Sequence, residues 1–103
     1  MSPDVKDDLR ANEWSKRAQY LANSVFNERL HQFGKWGYQI HTPERWMAIL
    51  AEEFGEAAKE TNEFVFRPDG AKPGEIVGRL KRELLQTAAV AIAFVQYLES
   101  GEA

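Results

Sequence analysis

The stretch Glu44 to Glu60, E-R-W-M-A-I-L-A-E-E-F-G-E-A-A-K-E, decides the fold class. Trp46, Ile49, Leu50, Phe54 and Ala57 recur at the three- and four-residue spacing of one helix face. Glu53 and Glu60 project from the middle of that stripe, and Glu56 from its edge. Burying an unpaired carboxylate costs several kcal/mol, so glutamates on a core-facing stripe call for a cation.

Working outward, Thr42-Pro43-Glu44 is a cap with proline at the first helical position, which predicts a helix from there to about Glu63. Gly55 inside it suggests close helix packing or ligand approach. Upstream, Ser2-Pro3-Asp4 opens a helix to about Phe33, with Trp14, Ala18, Leu21, Ala22 and Val25 facing inward and Gly34 and Gly37 marking its end. Downstream, F-V-F-R-P-D-G-A-K-P-G-E reads as a loop. A third helix is expected from about Glu75 to Glu99, with Ile76, Leu80, Leu84, Thr87, Val90, Ala91, Phe94 and Leu98 on one stripe and Glu83 inside it. The expected fold is all-α, a single domain over residues 1–103 with three long helices, with or without a short fourth helix at Phe64 to Phe66.

Thr87 to Val95 is apolar on nearly every side, more than one three-helix chain can cover. The bundle is therefore expected to be completed by oligomerisation, as a homodimer or dimer of dimers. A formal net charge of −3 argues against nucleic-acid binding driven by phosphate neutralisation. The absence of cysteine restricts any metal to oxygen or imidazole ligands. The N-terminus lacks the apolar run of a signal peptide, and no apolar run is long enough to span a bilayer, so a cytoplasmic location away from membranes is expected.

Glu53 and Glu56 are neighbours on one helix face, and Glu83 and Gln86 repeat the spacing on the third helix. Antiparallel packing would join the two pairs into an oxygen cage suited to Mg²⁺ or Mn²⁺. The alternative is neutralisation by Arg45, Lys59, Arg79, Lys81 or Arg82. Lys35, Trp36 and Gln39, just before the second helix, offer a phosphate cation, a stacking surface and an amide for a base edge. Arg67 and Lys72 are further candidates for triphosphate oxygens. Trp14, Trp46 and Phe94 are assigned to the core.

The pattern Glu52-Glu53-x-x-Glu56 followed by Glu83-x-x-Gln86 resembles the signature of the MazG-like, all-α nucleoside triphosphate pyrophosphohydrolases, E-E-x-x-E and then E-x-x-D. The similarity runs from about Lys35 to Leu98 and includes Trp46, seven residues before Glu53. It implies that Glu53, Glu56 and Glu83 ligate the metal and that Glu52 either supports those ligands from behind or orients water. It also implies hydrolysis of a nucleoside triphosphate to a monophosphate and pyrophosphate, with Glu52 or Glu53 accepting the water's proton. Gln86 stands where the signature has aspartate, so the site carries one negative charge fewer. That departure leaves a non-catalytic dimerising helical module, with a weakened acidic site, as the other expectation.

Overall fold

The computed structural model describes residues 5–102, as three helices in the order α1 (Val5–Trp36), α2 (Pro43–Phe66) and α3 (Pro73–Glu99), with no strand among the described residues. The Ser2-Pro3 cap expected to open α1 lies outside them. α1 runs through Gly34 and stops at Gly37, whose φ of 70° turns the chain while its N–H donates to the Phe33 carbonyl at 2.7 Å. At the start of α2 the Thr42 hydroxyl accepts from the Arg45 N–H at 3.2 Å, and Pro43 occupies the first turn.

Besides the end of α1, three residues past Phe33, two further boundaries differ from the sequence reading. α2 continues through Phe64, Val65 and Phe66, so these residues form neither a loop nor a fourth helix. Arg67 ends the helix in the left-handed region, at φ 43°, with its N–H on the Glu63 carbonyl. α3 starts at Pro73, two residues early, because proline needs no N–H partner in a first turn.

α2 and α3 are antiparallel. Trp46 stacks on Phe94 at 6.1 Å between ring centroids and lies 6.2 Å from Tyr97, while at the other end Arg79 reaches Glu60 and Glu63. α1 lies along the other flank of α3 and runs parallel to it, with Arg29 Nε donating to Gln96 Oε1 at 2.9 Å. α1 and α2 each pack on α3 but not on each other. The result is a trough with α1 and α2 as walls and α3 as floor.

The core is correspondingly small: Trp46, Ala57, Ile76, Ala89, Val90, Ala93 and Tyr97. Several residues expected inside are exposed. On α1 these are Trp14, Ala18, Leu21 and Ala22, on α2 Phe54, and on α3 Leu84 and Leu98. The stripes were read correctly as apolar, but α1 and α2 each meet only α3, where a closed bundle would supply two neighbours. Gly55 is also not a packing contact, since a Cβ there would meet nothing within 4 Å. No helix of the described residues is long and apolar enough to cross a membrane.

Candidate functional site

Glu53 projects from the second turn beyond Trp46 on α2 and is half-buried, as are Glu83 and Gln86 on the facing helix, while Glu52 and Glu56 are exposed. Burial is the largest cause lifting the Glu53 carboxyl above the ordinary glutamate value, followed by the negative charges of Glu83, Glu56, Glu52 and Glu28. Glu83 leads the neighbouring charges, so the α3 glutamate lies within electrostatic reach of Glu53.

The neutralised alternative holds one step along the helix but not here. Glu60 and Glu63 grip Arg79 at 3.0 and 3.1 Å, and those bonds hold the guanidinium even more firmly charged. Among the described residues no lysine, arginine or histidine nitrogen comes within 4 Å of the Glu53, Glu56 or Glu83 carboxylates. The carboxylates are nevertheless not drawn into a closed cage. Among the described residues no group of three or more His, Asp or Glu side chains is gathered tightly enough to hold an ion.

Glu53 also lines a small cleft, about 60 Å³, at the upper end of the trough. Trp36 and Gln39 line it from the α1–α2 turn, Arg29 and Gln32 from α1, Trp46 and Ile49 from α2, and Val90 and Ala93 from below. The expected aromatic and amide therefore meet Glu53 in one cleft. Lys35 lies beside them, its Nζ 4.8 Å from the centre of the Trp36 ring. Gln39 Oε1 is paired with His41 Nε2 at 3.3 Å. Trp46, which walls the cleft, carries a buried indole N–H with no hydrogen-bond partner.

Arg67 and Lys72 are placed elsewhere. They sit at the far end of the α2–α3 hairpin, Arg67 over the Phe64 ring and Lys72 3.9 Å from Glu75. Fourteen residues of helix separate Arg67 from Glu53, about 21 Å along the axis, so these cations do not share the cleft.

Two cleft residues, Arg29 and Gln32, escaped the sequence reading, as did Glu28, whose charge acts on Glu53. The signal was present, because the inward stripe Trp14, Ala18, Leu21, Val25 continues at the same spacing to Glu28 and Gln32. Gln32 is the one buried polar side chain among the described residues. No family model matches the chain, and neither does any curated protein or solved structure.

Proposed function

We propose that the chain is a metal-dependent nucleoside triphosphate pyrophosphohydrolase of the MazG-like kind. The observation carrying this reading is the contrast along one helix face. Glu60 and Glu63 are neutralised by Arg79, whereas Glu53 feels the charges of Glu83 and Glu56, and among the described residues none of these three has a protein cation within 4 Å. A carboxyl whose proton affinity is raised by neighbouring negative charges, as that of Glu53 is, suits a divalent cation, and an all-oxygen set completed by the Gln86 amide suits Mg²⁺ or Mn²⁺.

A bound ion would neutralise the triphosphate and help orient the attacking water. The chain's own residues do the rest. Trp36 offers a face to the base, and Gln39 and Gln32 offer hydrogen bonds to its edge. Lys35 and Arg29 supply positive charge toward the phosphates. Water attacks the α phosphorus, the bond to the bridging oxygen breaks, pyrophosphate leaves, and Glu52 or Glu53 takes the water's proton.

The second reading, a non-catalytic helical module, draws on Gln86, which removes one charge from the cluster. Pyrophosphate release from a panel of triphosphates, with Mg²⁺ or Mn²⁺, separates the two. Release that is lost in Glu56→Gln supports the hydrolase. Absence of release with every triphosphate and both metals leaves the module.

A further inference from the structure

The cleft beside Glu53 shares a wall with a larger space. Arg29, Gln39, Trp46 and Ala93 line both the cleft and a second pocket, which has a volume of about 150 Å³ against 60 Å³. Phe33, Tyr38 and Tyr97 complete the aromatic lining of that pocket, and Gln96 adds a second amide. A flat ring entering past Trp36 and Gln39 therefore meets further aromatic surface, suited to stacking.

Both amides are already oriented. Arg29 Nε donates to Gln96 Oε1 at 2.9 Å, and a guanidinium carries donors only, so the Gln96 oxygen must face it. His41 Nε2 lies 3.3 Å from Gln39 Oε1, and a carbonyl oxygen only accepts, so the imidazole donates. His41 is held in turn edge-on against Trp46, with ring centroids 4.9 Å apart. What each glutamine has left for a ligand is its N–H₂ group. The amide edge of the pocket is thus an edge of donors, and Arg29 acts on it by fixing Gln96, with its charge still free for phosphate.

Bases differ at the edge such donors would read. Guanine offers O6 and N7 as acceptors and thymine or uracil offers O4, whereas adenine and cytosine carry an amino N–H₂ at the corresponding place. An amino group set against the two amides leaves donors facing donors, stripped of water and without partners.

We propose that the pocket selects a base with a keto edge, so that the substrate is a guanine, thymine or uracil nucleotide. The choice of a nucleotide rests on the pyrophosphohydrolase reading, and the choice among bases rests on Gln39 and Gln96. Titrating dGMP, dTMP, dAMP and dCMP into the full chain in chelator reads base selection without hydrolysis. dGMP or dTMP should bind about tenfold or more tighter than dAMP and dCMP, and should move the side-chain amide NMR signals of Gln39 and Gln96. Tight binding of dGMP alone marks a 6-oxopurine pocket and of dTMP alone a 4-oxopyrimidine one, and either supports the proposal. Gln96 is exposed, so the fold tolerates Gln96→Glu, which puts an acceptor in place of the N–H₂ while keeping Arg29 paired. That variant should bring dAMP and dCMP level with dGMP and dTMP or ahead of them. Its added charge weakens all four alike, so the ratio carries the result. Pyrophosphate release from the triphosphates should follow the wild-type order. Release without base preference would overturn the selection and leave the hydrolase, whereas preference without release would overturn the hydrolase and leave the pocket. Equal binding of all four monophosphates, binding of none, unmoved amide signals or an unchanged order in Gln96→Glu would each overturn the proposal.

Discussion

Glu53 holds a position where function and stability conflict. Its proton is bound more tightly in the folded chain than in the unfolded one, so the metal-free protein loses stability as pH rises from the ordinary glutamate range through the raised value. Above that window the ionised carboxylate opposes folding. Glu53→Gln should therefore raise the thermal midpoint at pH 7 in chelator, by relieving like-charge pairs worth roughly 0.2–0.5 kcal/mol each, and should flatten the pH dependence. Adding Mg²⁺ should stabilise the wild type and not this variant. Gln86→Asp should act in the opposite sense, tightening Mg²⁺ by about tenfold through one added charge near the ion; calorimetric titration measures both. Trp46 poses a different question. Trp46→Phe loses some packing but removes a buried unpaired donor, which costs about 1–3 kcal/mol, so stability should change little. A rise in KM with kcat retained would mark the indole N–H as a contact to the base, and an unchanged KM would mark it as packing alone.

At the scale of the helix, the α2–α3 hairpin is the rigid element, capped at Thr42 and pinned near its loop by Arg79 on Glu60 and Glu63. Its two weak points are backbone ones. A Cβ at Gly55 meets nothing, so Gly55→Ala should stabilise α2 by about 0.5–1 kcal/mol through the entropy of the unfolded chain. Lost activity in a more stable Gly55→Ala protein would show that the glycine admits ligand instead. Arg67 pays for a left-handed φ that glycine adopts freely, so Arg67→Gly should gain stability by up to about 1 kcal/mol. With Arg67 about 21 Å along the helix from Glu53, kcat/KM should not move. A large fall in kcat/KM would return this cation to the substrate, as the sequence reading expected.

For the whole molecule, α3 faces two ways. One side floors the trough and carries Glu83 and Gln86, and the other leaves Leu84, Val95 and Leu98 about half exposed. The first half of α1 is exposed throughout residues 8–23, and an isolated helix of that length is marginal in water. Assembly and helicity should therefore be linked. The thermal midpoint should rise with protein concentration between 1 and 100 μM, because mass action favours the assembled state. A concentration-independent midpoint would show that α1 holds without a partner.

The helices were written into the sequence because they are local. Thr42-Pro43, Gly37 and the three- and four-residue stripes each act within a turn or two, and they placed three helices with ends displaced by only a few residues. The acidic pairs were legible for the same reason, since i and i+3 positions share a face wherever the helix goes. What lay beyond the sequence was which stripe met which neighbour. Periodicity marks Trp14, Phe54 and Leu98 as apolar but does not say whether a helix stands opposite them, and in this protein none does. The contribution of Glu28 and Gln32, the separation of Arg67 and Lys72 from the cleft, and the capture of Glu60 but not Glu53 by an arginine all depend on the order in which helices lean on α3. That order is set by contacts between residues far apart in the chain, and only the tertiary structure decides it.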